Sequence, residues 1–144
     1  MKSFLLFLAV ILVFTLANSS APTVTNAADS SKKEMAVMKF NYTVTLMDVS
    51  LKGEYLFVHD DEAMARGEAC SYIYKGVSEV PKNLVASFHC TPVLRAKAKR
   101  FTVRTVLVSP GVVELKEYQF AGSTESHLVP GSQHAEHVNV VPSN

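Results

Sequence analysis

The stretch KFNYTVTLMDVSLKGEYLFVH, residues 39–59, decides the fold class. In its first part Phe40, Tyr42, Val44 and Leu46 alternate with Asn41, Thr43 and Thr45. That period of two marks a strand with one face buried and one in water. DVSLKG, residues 48–53, supplies turn residues, and EYLFVH, residues 54–59, is apolar on both faces, as a more central strand would be.

Working outward, DDEAMARG, residues 60–67, breaks the strand pattern. Asp60 or Asp61 can cap one helical turn, acids occupy its first positions, and Gly67 is placed to stop it. ACSYIYK (69–75) and LVASFHC (84–90) read as two further strands joined by GVSEVPKN. TPVLRAKAK (91–99) reads as a second short helix, with Thr91 as cap and Pro92 at its first position. The last strand pair is RFTVRTVLV (100–108) and VVELKEYQF (112–120). Because an L-Pro-Gly pair does not suit the primed two-residue turns, a longer loop is expected around Pro110 and Gly111. In the second of these strands the apolar phase slips between Leu115 and Tyr118, the signature of a β-bulge near Lys116 and Glu117. Six such strands predict a mainly β domain, an antiparallel meander closed as a small barrel or folded as a sandwich, with one or two short helical turns.

The chain begins with Lys2 and an apolar run from Phe4 to Ala17, broken only at Thr15. A run of that length suits the core of a signal peptide and falls short of the roughly 20 residues of a membrane-spanning helix. Residues 1–27 are therefore read as a signal peptide, 28–36 as a flexible lead-in, 37–130 as one β domain and 131–144 as a disordered tail. Export to a periplasm or to the cell exterior follows, with no membrane association after cleavage. Acidic and basic residues are nearly balanced, at 13 and 14, so the electrostatic footprint of a nucleic-acid binder is missing. The basic run RAKAKR, residues 95–100, is read as a solvated face.

The two cysteines, Cys70 and Cys90, are an even pair in an exported chain, which favours a disulfide. Placing them opposite each other in a hairpin sets Tyr72 against Phe88 and Tyr74 against Ala86. Opposed residues are about 4.5–5.5 Å apart at Cα, within reach of a bridge worth about 3 kcal/mol on the chain-entropy model. Strand alternation then sends His89 to the other face, away from Cys90. A copper or zinc site would draw instead on His59, Asp60, His89 and His127, with His134, Glu136 and His137 as a loose accessory in the tail.

No nucleophile elbow, phosphate loop, HExxH motif or paired-cysteine zinc pattern is present in the sequence. The leading expectation is a small exported, non-catalytic β domain that binds a small ligand or a protein partner. It would need no cofactor, would act as a monomer or an edge-paired dimer, and would be stapled by its disulfide. The alternative is a periplasmic or extracellular copper- or zinc-binding protein that uses the histidines just named as surface residues. An enzyme with Cys90 as nucleophile and His59 or His127 as base requires a low-pKa thiol in an oxidising compartment, and is set below both.

Overall fold

The computed structural model describes residues 32–131 and 138–142, the latter as backbone only. The elements are β1 (Lys33–Leu46), β2 (Val49–Asp60), α1 (Asp61–Ala65), β3 (Ser71–Lys75), a 3-10 turn (Pro81–Asn83), β4 (Leu84–Phe88), β5 (Thr91–Leu94), β6 (Thr102–Ser109), β7 (Val112–Gln119), β8 (Glu125–Leu128) and β9 (Val138–Pro142). The mainly β class is as expected, but the count and topology differ from a six-stranded antiparallel meander. Strand segments run β4-β3-β2-β1-β7-β6-β9 in one mixed sheet, with β8 added to β7 and β5 added to β8. The sheet curls into a half-barrel.

The stretch 39–59 is the spine of this sheet. β1 and β2 pair from Lys33↔Asp60 to Leu46↔Val49, turning at Met47 and Asp48, and Met47 takes a positive φ of 51°. Their register breaks between Phe40 and Val44, where three residues of β1 face one residue of β2. This bulge explains why Tyr42 is exposed while Phe40 and Val44 are buried, although simple alternation puts all three on one face. β2 is central, with β1 and β3 on its two edges, and Tyr55 to His59 are buried without a break, in keeping with its two apolar faces. The lead-in expected over 28–36 is already strand from Lys33 onward.

The bulge read near Lys116 is present. Arg104 pairs with Glu117 and Thr105 with Leu115, which leaves Lys116 as the extra residue. There β7 changes neighbours. Before the bulge Glu114 meets Thr45 of β1, the single parallel pairing among the described residues; after it Glu117 and Tyr118 pair with Leu128 and His127 of β8. The Lys116 carbonyl accepts a hydrogen bond from the Val129 amide at 2.9 Å, fixing the exchange.

Other expectations are corrected. TPVL forms β5 rather than a helix, because β8 offers it a partner from Thr91↔Leu128 to Leu94↔Glu125. Ser109 pairs with Val112, so the connection is the two residues Pro110 and Gly111. Gly111 adopts φ 78°, as the second residue of a type II turn requires, and a register shift beside it absorbs the mismatch. Within the tail read as disordered, Val138–Pro142 forms β9 against β6. The signal segment 1–27 and His134, Glu136 and His137 lie outside the described residues. Among the described residues no helix is long and apolar enough to cross a membrane.

The core lies inside the curl. Phe57 and Tyr118 stand 5.5 Å apart, Phe57 and Phe101 5.2 Å, and Phe101 and Phe120 5.2 Å, in tilted contacts that aromatic pairs favour. Leu46, Leu51, Ile73, Val103 and Leu115 fill the space around them. The alternation that puts Tyr55 and Phe57 into this core carries His59 in with them.

Candidate metal centre

His59 ends the apolar run of β2 and is 3 % exposed. Immediately after it, Asp60 leaves the strand to cap α1, its carboxylate accepting from the Ala63 amide at 3.0 Å. Asp61, the first residue of α1, brings Oδ1 to 3.5 Å from His59 Nδ1. Its own place is held by the Lys32 amide, which donates to Oδ2, while its amide donates to the Lys32 carbonyl. A carboxylate facing Nδ1 leaves Nε2 turned away from it, an arrangement common behind metal-bound histidines.

His127 arrives from β8. It pairs with Tyr118 across the β7–β8 ladder, so both side chains share the core face, stacked with ring centroids 5.0 Å apart. Its ring also lies 4.1 Å from that of His59. Burial first, and the His59 ring second, push the His127 pKa down to about 3, so it is neutral at physiological pH. Its Nδ1 lies 3.4 Å from Cys90 Sγ and 3.8 Å from Glu125 Oε1. Its Nε2 is buried and has no hydrogen-bond partner among the described residues.

Cys90 completes the cluster. β4 ends at Phe88 and β5 begins at Thr91, so residues 89 and 90 form a corner rather than a continuing strand. The corner leaves His89 exposed and turns Cys90 inward, half-buried. One ligand atom each from His59, Cys90 and His127 lies within 4.8 Å of the others. In a tetrahedral zinc site, with Zn–S near 2.3 Å and Zn–N near 2.0–2.1 Å, ligand atoms are about 3.3–3.6 Å apart. Side-chain shifts of about an ångström would close the cluster around an ion of that size.

Cys70 stands beside this group. It is fully buried, and its Sγ lies 3.0 Å from Cys90 Sγ and accepts from the Cys90 amide at 3.2 Å. Both cysteines are free thiols, so the expected disulfide is corrected to a close, unbridged pair. The register is corrected too: Ser71 pairs with Phe88, Tyr72 with Ser87 and Ile73 with Ala86, one residue off the alignment that opposes the cysteines. Ser71 and Ile73 therefore face the core and the two tyrosines are half-buried. Cys70 reaches the same neighbourhood because it lies in the bend before β3, where its carbonyl accepts from the Asp60 amide at 2.8 Å. Burial, and next the Cys70 thiol, push the Cys90 pKa up to about 12. Below the pair, Ser71 Oγ and Tyr118 OH share a short hydrogen bond of 2.5 Å.

Of the four residues expected to hold a metal, His59 and His127 converge but are buried rather than on the surface, Asp60 is committed to a helix cap and His89 points away. The third member of the cluster is Cys90, which lies opposite His89 and beside Cys70, as alternation expects, and meets His127 as well. No family model, curated protein or solved structure matches the chain, so the reading rests on this geometry.

Proposed function

We propose that the protein is a metal-binding β domain in which His59, Cys90 and His127 hold one zinc or cuprous ion. The observation that supports it most is the convergence of two buried imidazoles and a half-buried thiol, where His127 Nε2 has no hydrogen-bond partner among the described residues. A buried polar atom left unpaired costs about 1–3 kcal/mol, and a ligated ion would remove that cost. Two nitrogens and one sulfur suit zinc and copper, not the oxygen-seeking calcium or magnesium. Cupric ion is disfavoured, since two thiols 3.0 Å apart would reduce two cupric ions while forming a disulfide.

The setting remains the one read from the sequence: an exported, non-catalytic domain with a signal peptide over residues 1–27. Zinc titration of the reduced, purified protein by calorimetry, with metal analysis after gel filtration, is the test. One tightly held zinc per chain is expected, lost in His127→Ala and kept in His89→Ala. Only weak binding, or binding indifferent to His127, would overturn the assignment.

A further inference from the structure

The metal reading leaves Cys70 unused, although its sulfur lies 3.0 Å from Cys90 Sγ. A thiol so placed has two possible partnerships with Cys90, and they exclude each other. As a metal ligand Cys90 must be a thiolate, whereas as half of a disulfide it has no charge to donate and binds zinc poorly. Access is unequal: Cys70 is fully buried and Cys90 is half-buried, so an oxidant meets Cys90 first.

We propose that Cys70 is the resolving half of a redox gate on this metal site, so that oxidation to a Cys70–Cys90 disulfide expels the ion and reduction restores its binding. The proposal rests on the metal reading above and adds its regulation. The oxidant is a small-molecule disulfide. Cys90 thiolate attacks one of its sulfurs, breaking that S–S bond, forming a mixed disulfide and releasing one thiolate. Cys70 then attacks Cys90 Sγ, losing its proton and expelling the second thiol. Two electrons pass from the two protein sulfurs to the small disulfide. Zinc leaves as Zn2+, its oxidation state unchanged, and the released thiolate and thiol balance charge and proton. Attack by Cys70 is favoured by position, since the sulfurs need to approach by only about 1 Å to reach bonding distance.

The experiment uses the full chain, reduced and loaded with zinc, exposed to oxidised glutathione. Released zinc is followed with a chromogenic chelator, and the protein by intact mass with and without alkylation. Wild type is expected to release its zinc in step with the loss of two alkylatable thiols and without a lasting glutathione adduct, and to rebind zinc after dithiothreitol. Cys70→Ser is expected to load zinc and then either keep it or stop at a glutathione adduct on Cys90. Zinc retained by oxidised wild type, or zinc released while both thiols remain alkylatable, would overturn the gate. So would the same adduct-free release from Cys70→Ser. A reduced protein that holds no zinc at the start would instead overturn the site itself, a different result read before any oxidant is added.

Discussion

Tyr118 shows how much a single residue carries in this protein. Its ring packs on Phe57, Phe101, Phe120 and His127, and its hydroxyl bonds to Ser71 beneath the thiol pair. Tyr118→Phe keeps the ring but leaves Ser71 Oγ buried without its hydroxyl partner, and is expected to cost about 1–3 kcal/mol in urea unfolding. Tyr118→Phe with Ser71→Ala should cost less than the two single changes summed, because both partners leave together. At this scale the sequence was legible where alternation held and misleading where it stopped. His59 lies in the core, two residues beyond Phe57, where a surface histidine is expected. Alternation set Cys90 inward beside Cys70 and His89 outward, as they stand, but one residue off in register, and the contact of Cys90 with His127 depends on β5 finding β8, which lies far along the chain.

Among the elements, the β6–β7 ladder holds the strongest polar construction. Glu117 is buried at 3 % exposure and receives both Arg95 Nε and Nη2 at 2.9 Å and Arg104 Nη1 at 2.8 Å. Burial alone would raise its pKa, but hydrogen bonds from Arg95 and Ser126 and the charges of both arginines outweigh it, and the carboxyl is held below its usual value. Its unfolded pKa is thus the higher one. The stabilisation is complete above about pH 4.5 and is lost as pH falls through the lower folded value. Glu117→Gln should therefore flatten the acid side of a stability–pH profile. At neutral pH it should cost about 3 kcal/mol, the low end for a broken buried pair because Arg95, 44 % exposed, can rehydrate. At the hairpin tip, Gly111→Ala meets no atom within 4 Å of the added carbon, so its expected loss of about 1–2 kcal/mol is conformational only. Thermal melts would separate the two variants, since only the first is pH-dependent. The bulge at Lys116 was readable from the broken apolar phase. The brevity of the Pro110–Gly111 turn was not, because a compensating shift in the partner strand leaves no local mark.

At the scale of the whole molecule, hairpins close in sequence were legible and the joins between them were not. β1 meets β7 through Thr45 and Glu114, and β5 meets β8 through residues more than 30 apart. Such pairings depend on which edges remain free after the hairpins form, which is a property of the assembled sheet rather than of any segment. The proposed ligands come from β2, the β4–β5 corner and β8, so an ion bound there would tie three remote parts of the sheet. Zinc at one hundred times its dissociation constant should add about 2.7 kcal/mol to stability, and EDTA should remove it, seen as a drop in melting temperature that His127→Ala does not share. The order of the ligands along the chain, 59, 90 and 127, has a temporal meaning as well. A chain emerging from its amino end holds at most two of the three until β8 has docked on β7. Metal capture would then act as a completion check, a signal from the protein to its surroundings that the last strand of the site has found its place.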